Sequence, residues 1–412
     1  MSHAGQNRFW IILILGALST ISPFAIDMYL PAFPEIKLAL HTASTGKISW
    51  SISSYFAGLA VGQLFYGPLL DRFGRKRPLY AGLVIFILAS ILCQQSRTVE
   101  WLVVMRFIQA LGGCAAQVAS MAMVRDFFPV HEMAKIISLL ILILGVSPLL
   151  APTVGTLVAA NLGWQWVFII LAVVAFLNLV VVFWYLPEGH APDASVSLRL
   201  APVVRNFSAV LAEPQFTTYA LSGAFVFSGL LVYVAGSPII FMEVFQVSAR
   251  TFSLIFAGLS VGFIGSNQIN VLLLKRFSSE QIFRGALMVE CPAMLLFVAG
   301  TATGSFGLGM TLVLLFISLS SLGLAFPNSA ALALAPFDSN IGSASAMLGF
   351  LQIGVSGLVS TSIGFFDSTR MLPVTLLMAA TSWVGLAIFL FGKRRIPKLR
   401  FVEEKGAMPL GH

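Results

Sequence analysis

Charged residues are scarce in this chain, and their scarcity excludes an ordinary soluble protein. Asp, Glu, Lys and Arg together make up 10% of the 412 residues, whereas 58% of the residues are hydrophobic. A soluble domain carries roughly a quarter charged residues. Most of the surface of this chain is therefore expected to face something other than water.

Cysteine and histidine are also rare, and several functional patterns are missing. The three cysteines lie in apolar segments without metal-site spacing, so no disulfide framework is expected. The five histidines fall in predicted loops or tails, and neither an HExxH nor a Gly-x-Ser-x-Gly pattern occurs. The sequence also lacks a P-loop and the repeated filter of a channel. These absences argue against an enzyme, a channel and an ATP-driven pump, and no cofactor or metal is expected.

Apolar runs long enough to cross a bilayer are abundant. A hydrocarbon layer ~30 Å thick needs about 20 apolar residues per helix, and lipid forces backbone groups to pair within the span. Twelve transmembrane helices are predicted, at residues 9–30, 46–66, 78–95, 100–124, 134–160, 165–186, 216–241, 249–274, 283–300, 306–331, 342–366 and 371–392. No small-residue cleavage site follows the first run, so it is expected to stay as a span rather than to be removed as a signal peptide.

The basic residues are distributed unequally between the two predicted sides of the membrane. An even number of spans places both termini on one side. Eighteen of the 24 Lys and Arg residues fall on that side, five fall on the other, and Arg106 lies inside a span. Positive loops stay in the cytoplasm, so both termini are expected to be cytoplasmic. The net charge of +8 then reflects membrane topology and not nucleic-acid binding.

The two halves of the chain echo each other. The segment GPLLDRFGRKRP after the second span has a worn counterpart, VLLLKRFSSEQI, 204 residues later and after the eighth span. Two related six-helix halves with a substrate site between them are a transporter arrangement. The expected division is an N-terminal half at 1–186, a cytoplasmic linker at 187–214 that can hold a short surface helix, a C-terminal half at 215–392 and a cytoplasmic tail at 393–412.

The strongest motif lies between the second and third spans. It consists of Gly67, Asp71, Arg72, Gly74, Arg75 and Lys76. Its physical content is a tight turn at Gly74, basic side chains on one membrane face, and an acid, Asp71, placed to pair with a cation or to cap a helix. The motif resembles the loop signature of the major facilitator superfamily, and the resemblance implies that fold over nearly the whole chain. In that family the cluster latches the two halves in the outward-open state. The alternative is a basic run that only sets topology.

Two charged residues within spans are candidates for proton coupling. Arg106 opens the segment RFIQALGG, which resembles the drug-export motif of the superfamily, and a charge inside a span marks a functional site by default. The alternative is an Arg that snorkels to the periplasmic surface. Asp27 lies late in the first span and is expected at a similar depth, so an Asp27–Arg106 interaction, direct or through water, is feasible. For Asp27 the alternative is a helix-end acid exposed to water.

Three short strings narrow the resemblance to one branch of the superfamily. AIDMYLP around Asp27, MVRDFF, and SPLLAPTVG are similar to the Bcr/CflA branch of bacterial drug:proton antiporters. The resemblance implies a monomer of the bacterial inner membrane that exports phenicol- or bicyclomycin-type drugs by alternating access. Pro148, Pro152 and Gly155 resemble the antiporter motif, although Ser, Ala and Thr replace some of its usual glycines. An exporter or proton symporter of a small metabolite, of sugar, amino acid or nucleoside type, is the alternative.

A mostly apolar cavity with a few aromatic and amide groups suits uncharged or weakly polar organic ligands. The candidate cavity residues are Tyr29, Tyr55, Gln63, Gln109, Gln117, Tyr233, Asn267 and Gln352. For each of them, ordinary helix packing is the alternative. Glu290, in the ninth span, is interpreted as a packed acid that is protonated or hydrogen-bonded, with a transport role as the alternative.

Overall fold

The fold is a bundle of long helices. The computed structural model describes residues 3–42, 44–128, 130–193, 200–337, 341–366, 370–396 and 399. Its helices are α1 (His3–Asp27), α2 (Phe33–Ala39), α3 (Thr45–Phe73), α4 (Lys76–Gln94), α5 (Val99–Phe127), α6 (Val130–Leu162), α7 (Gln165–Tyr185), α8 (Leu200–Leu211), α9 (Pro214–Pro238), α10 (Ala249–Leu273), α11 (Ser279–Thr303), α12 (Leu308–Leu334), α13 (Ile341–Thr361) and α14 (Leu372–Lys393). No strand occurs within these ranges.

Each of the twelve predicted spans coincides with one long helix, and the all-helical transmembrane prediction is confirmed. Eleven helices of the described ranges are long and apolar enough to cross a membrane. The predicted second span, α3, does not meet this hydropathy criterion. Its first turns carry Ser49, Ser51, Ser53 and Ser54, and these hydroxyls bond to carbonyls of neighbouring turns or of other helices. The polarity of α3 is satisfied within the bundle.

Glycine allows the closest helix contacts of the first half. A Cβ on Gly82 of α4 would overlap Ala115 of α5, and a Cβ on Gly112 of α5 would overlap the backbone at Phe86 of α4. Small residues let helix backbones approach in a membrane, where association depends on packing rather than on the hydrophobic effect. This contact holds α5 firmly against α4, and α5 carries Arg106.

The two halves, α1–α7 and α9–α14, meet along two seams. In the first seam α3 packs on α13, where Ser53 and Ser360 are hydrogen-bonded at 2.9 Å and Trp50 Nε1 donates to the Thr361 carbonyl at 3.0 Å. In the second seam α6 packs on α10, and Thr156 is hydrogen-bonded to Ser253 at 2.8 Å. All of these contacts lie at the end of the bundle where α3 and α10 begin, which we call the closed end.

The opposite end of the bundle carries the residues of the basic loop motif, and we call it the basic end. There α3 ends and α4 begins, and α14 ends at Lys393. A short helix, α8, lies within the predicted linker and packs against α13 and α9. Residues 194–199 of the linker and most of the predicted tail, 397–398 and 400–412, lie outside the described residues.

Candidate functional site

Asp27 is the last residue of α1, and its position follows from the local sequence. Pro31, which has no N–H, follows four residues later and lies in a 3₁₀ turn at Leu30–Ala32, so the helix does not continue. Asp27 is only 6% exposed, and its Oδ2 accepts a hydrogen bond from Ser147 Oγ of α6 at 3.4 Å. The acid therefore lies inside the bundle, and the alternative of a helix-end acid in open water does not hold.

The predicted antiporter motif lies in α6, between α1 and the second half. Gly155 abuts the turn that follows α1, and a Cβ at this position would overlap the Met28 carbonyl. The Pro152 carbonyl accepts a hydrogen bond from Ser253 Oγ of α10 at 3.0 Å. Pro148, one turn earlier, is half-buried. Each proline removes an N–H from α6 and leaves the carbonyl four residues earlier without its helical donor. The motif thus joins the end of α1 to α10.

The second half places a buried aromatic side chain within electrostatic range of the acid. Tyr233 of α9 is buried and stacks on Phe256 of α10, with ring centroids 5.8 Å apart and an interplanar angle of 15°. Tyr233 lies within electrostatic range of Asp27, and its hydroxyl has no hydrogen-bond partner among the described residues. Asp27 therefore lies at a junction to which both halves contribute.

Arg106 of α5 is enclosed by aromatic rings. Its Cζ lies 4.2 Å from the ring centroid of Tyr55 and 4.9 Å from that of Tyr29. Its Nη1 donates to Gln109 Oε1 at 2.6 Å, and Gln109 Nε2 donates in turn to Ser90 Oγ at 2.7 Å. Arg106 Nε and Nη2 have no hydrogen-bond partner in the part of the chain that the structure describes. The side chain is fully buried, so the snorkelling alternative is wrong. A desolvated cation over an aromatic face gains about 2 kcal/mol.

The direct contact between Asp27 and Arg106 is not formed in this structure. The carboxylate is bonded to Ser147 of α6, while the guanidinium is bonded to Gln109 on its own helix. Tyr29, two residues beyond Asp27, fills the space over the guanidinium instead. The sequence predicts that Asp27 and Arg106 lie at a similar depth, and the contact between Tyr29 and Arg106 agrees with that prediction. The direction of the Asp27 side chain differs from the expected one. At the end of α1, Asp27 faces Ser147 of α6, whereas Tyr29 faces Arg106 of α5.

Gln109, one of the predicted cavity residues, is hydrogen-bonded on both sides. Its amide is engaged by Arg106 on one side and by Ser90 of α4 on the other, and the residue is fully buried. Gln109 therefore positions the guanidinium in this structure, and its contact with a substrate stays a prediction. Tyr29 and Tyr55 are likewise fully buried under Arg106, and the Tyr29 hydroxyl is hydrogen-bonded to Ser51 at 2.9 Å.

The other predicted cavity residues are spread over four helices. Gln63 of α3 packs against Gly349 of α13, so it lies in the first seam. Gln352 of α13 is buried, and its Nε2 has no hydrogen-bond partner among the described residues. Gln117 of α5 and Asn267 of α10 are half-buried. Contact of these amides with a substrate stays a prediction.

The loop motif forms a charged cluster at the basic end. Arg75 Nη1 donates to Asp71 at 2.6 Å, and its Nε donates to Asp126 at the end of α5 at 2.8 Å. Burial opposes the charge of Arg75, but its hydrogen bonds to Asp126 and Asp71 outweigh this effect and raise the pKa of the guanidinium. Glu188, just beyond α7, accepts from the backbone N–H groups of Arg75 and Lys76 at 2.6 and 3.2 Å. A carboxylate is stabilised there because the first N–H groups of α4 lack helical partners.

This cluster belongs to the first half and the linker. Lys76 Nζ donates to the Leu186 carbonyl, just beyond α7, at 2.7 Å. The Asp71 carbonyl accepts from the backbone N–H of Asp193 in the linker at 3.2 Å. Gly74 has a φ of 81°, which favours glycine in this turn. Of the other motif residues, Arg72 lies beside the Phe73 ring at 5.8 Å, and a Cβ on Gly67 would meet open space. The hydrogen bonds described above between the two halves lie at the closed end instead.

Asp126 and Glu188 are cluster residues that the sequence did not reveal. Asp126 stands in the MVRDFF string, which marked the branch but indicated no partner. Glu188 stands in the predicted linker. An acid just after a span can cap a neighbouring helix, but only the packing of α7 against α4 shows which helix it caps.

Replacing Arg75 with Ala is expected to lower stability. Asp126 is largely buried and would lose its cationic partner, and hydrogen bonds to charged groups contribute about 1.5–3 kcal/mol. Arg77→Ala, two residues further on at an exposed position, is the matched control. Thermal melting of the purified proteins should show a lower melting temperature for Arg75→Ala than for the control. Equal melting temperatures would contradict a stabilising role for the cluster.

Glu290 is an ionisable group that belongs neither to the loop-motif cluster nor to the surroundings of Asp27 and Arg106. It is buried in the second half, where its Oε1 accepts hydrogen bonds from Ser318 of α12 at 2.8 Å and from Ser382 of α14 at 3.1 Å. These contacts agree with the interpretation of a packed, hydrogen-bonded acid. Within the described residues, no group of three or more His, Cys, Asp or Glu side chains could hold a metal ion.

Sequence comparison decides the family. The sequence model of the Major Facilitator Superfamily matches residues 15–361. The chain belongs to this superfamily. It is a transporter and not an enzyme, and it is a multi-pass protein of the bacterial inner membrane. A small-molecule substrate and a bilayer environment follow from the family.

Relatives cover nearly the whole chain. An uncharacterized MFS-type transporter, YdgK, of Bacillus subtilis is 31% identical over 400 residues, which cover 95% of this chain and 98% of the relative. A bicyclomycin resistance protein homolog of Haemophilus influenzae is 27% identical, with coverage of 96% and 99%. The multidrug resistance protein MdtL of Klebsiella pneumoniae is 29% identical, with coverage of 93% and 95%. These relatives are consistent with the drug:proton antiporter branch that the motifs indicated.

Solved structures share the fold. A bacterial homolog of the human lysosomal transporter Spinster, in an inward-facing and unoccupied conformation, has a TM-score of 0.74 at 16% identity and covers 98% of this chain and 100% of its own. A D-xylose–proton symporter also has a TM-score of 0.74, at 17% identity, with coverage of 95% and 98%. At such identities the likeness concerns the fold alone.

Proposed function

We propose that this transporter exports small organic drugs of phenicol or bicyclomycin type in exchange for protons. The observation that carries the proposal is the buried carboxylate of Asp27, held by Ser147 of α6, the helix that packs on α10 of the second half through the Ser253–Pro152 hydrogen bond. A group that binds a proton at the junction of two moving halves can couple protonation to their movement. The names of relatives such as the bicyclomycin resistance protein homolog and MdtL support drugs as the substrate class.

The basic end faces the cytoplasm in this proposal, since loops rich in Lys and Arg stay inside. The closed end then faces the periplasm, and the structure represents a state that is shut to the outside. A latch made by the loop motif between the halves belongs to the outward-open state of this family. The confinement of the Asp71, Arg75 and Lys76 contacts to the first half and linker is consistent with the opposite state. We further propose that the transporter acts as a monomer with both termini inside.

The proposed cycle is alternating access with Asp27 as the proton carrier. In the outward-open state a periplasmic proton neutralises the carboxylate, which weakens its attraction for donors such as Ser147 and its effect on Tyr233. The halves then close outside and open inside, where proton loss accompanies drug binding. Arg106 supplies a fixed positive charge at a similar depth, and its Nε and Nη2 are available to a carboxylate or a polar drug group in another state.

Transport in inverted membrane vesicles tests direction and coupling. Vesicles from an efflux-deficient bacterium that expresses the chain are energised to an acidic interior, and chloramphenicol or bicyclomycin is added. Export by antiport predicts that the drug dissipates the acid-inside gradient and accumulates in the vesicles. No proton movement with either drug, together with proton-coupled uptake of a sugar, amino acid or nucleoside by intact cells, would favour the metabolite symporter instead.

A further inference from the structure

An ion pair bridges the two halves at the closed end. Lys37 Nζ of α2 lies 2.8 Å from Glu243 Oε1, and the two residues are 206 positions apart in the chain. The Thr45 hydroxyl donates to the same carboxylate oxygen. The side chains of Lys37 and Glu243 are about one quarter exposed, at 27% and 26%. A lysine and a hydroxyl of the first half therefore hold one carboxylate of the second half at the surface of the closed end.

The local backbone presents Glu243 to the first half. Thr45 is the first residue of α3, a helix of 29 residues, so the carboxylate lies at the positive end of a long helix as well as beside a lysine. Glu243 itself lies in a π-helical segment, Ile239–Val244, that follows α9. Segments with this wider winding are rare and are frequently found at functional sites.

Uncharged contacts surround the ion pair. Ser49 Oγ donates to the Ala235 carbonyl of α9 at 2.9 Å, one turn further into the bundle than Thr45. A hydroxyl–carbonyl hydrogen bond of this kind joins two neutral groups, so its strength does not depend on the sign of a charge. The electrostatic interaction between Lys37 and Glu243, in contrast, turns from attraction to repulsion when one of the two charges is reversed. It is thus the part of the closed end whose strength can be tuned and inverted by substitution.

We propose that Lys37, Thr45 and Glu243 form a periplasmic latch that sets the ratio of outward-closed to outward-open molecules. The proposal rests on the alternating access and orientation described under Proposed function. Opening the closed end must separate α2 and α3 from α9, so the ion pair must break in every cycle. Lys37, Thr45 and Glu243 are positioning residues of the transport cycle, because they act on access to Asp27 and not on the drug itself.

Distances between spin labels on purified protein test the latch without a drug or a proton gradient. Exposed Arg97 and Arg370 lie on different halves at the closed end, and exposed Arg77 and Lys275 lie on different halves at the basic end. Each pair is replaced by cysteines and labelled, and pulsed electron resonance reports the distance distribution. The three native cysteines are buried, which favours labelling at the introduced positions.

Reversing one charge is expected to shift the distances in opposite directions at the two ends. Lys37→Glu places two carboxylates together, and since partly exposed ion pairs contribute up to ~1 kcal/mol, the open-to-closed ratio should rise on the order of fivefold. Longer distances between positions 97 and 370 should accompany shorter ones between 77 and 275. Glu243→Lys should act alike, and the double exchange Lys37→Glu with Glu243→Lys should restore the wild-type distributions.

Lys47→Glu is the matched control, because this exposed lysine lies in the first turn of α3 and makes the same change in charge at the same end. Its distributions should equal those of the wild type. Unchanged distances in both single reversals, or failure of the double exchange to restore them, would overturn the latch. Failure of the transporter to move phenicols or protons would leave these distances unaffected, so the latch and the proposed function fail separately.

Discussion

Asp27→Asn is expected to abolish proton-coupled drug export, so that cells expressing it are as drug-sensitive as cells with an empty vector. The amide has the same shape and can still accept the hydrogen bond from Ser147, but it cannot take up or release a proton. Folding should therefore persist while the coupling is lost. Expression level, melting temperature and a drug-susceptibility panel in an efflux-deficient bacterium measure the two effects together.

Glu290→Gln provides the matched control for this change. It replaces another buried acid by its amide, at a position hydrogen-bonded only within the second half by Ser318 and Ser382. We expect this variant to retain export. Undiminished proton-coupled export by Asp27→Asn would remove Asp27 from the mechanism, and loss of coupling in Glu290→Gln alone would transfer the proton site to the second half.

Arg106→Met is expected to remove export without lowering stability. The guanidinium is fully buried without a carboxylate partner among the described residues, and Nε and Nη2 are unbonded. Removing a buried charge that has no ion-pair partner can be close to neutral, because the desolvation penalty that disappears offsets the lost contacts with the aromatic rings and Gln109. Export should fall at least ~10-fold, since Nε and Nη2 could no longer bind a carboxylate or a polar drug group, a hydrogen bond to a charged group contributes about 1.5–3 kcal/mol, and each 1.4 kcal/mol is tenfold.

Export assays and thermal melting of the same Arg106→Met preparation check this prediction. Arg106→Lys is the companion variant, because it keeps the charge but cannot reproduce the planar contacts with Tyr29 and Tyr55 or the fork towards Gln109. Intermediate export is expected for it. A large fall in melting temperature with retained export in Arg106→Met would mean that the residue serves packing rather than transport.

The helical architecture was predictable because lipid leaves few choices. A span must satisfy its own backbone, so apolar length indicates helix directly. Most predicted boundaries agree with the observed ones within a few residues, as for α7 and α10. Disagreement is larger for α3, which extends to Phe73, because its last two turns carry the polar loop motif and do not look like a membrane span. Residues 28–39 also differ, since Pro31 turns the chain into α2 before the next span.

The candidate site was predictable in depth but not in orientation. Counting residues along α1 and α5 placed Asp27 and Arg106 near the same level, which the Tyr29 contact supports. Which neighbour each side chain faces depends on the rotation of the helices, and a helix turns by 100° per residue. Contacts between distant segments were out of reach for the same reason. Nothing in the sequence pairs Lys37 with Glu243, which only the packing of the halves brings together.

Proton release on drug binding tests the central claim most directly. Purified protein in weakly buffered detergent solution is mixed with chloramphenicol or bicyclomycin near neutral pH, and a pH indicator and calorimetry record protons and binding together. We predict that the wild type releases protons as the drug binds and that Asp27→Asn binds the drug with no release. The same proton release from Asp27→Asn as from the wild type would contradict the assignment of Asp27 as the site where drug and proton exchange.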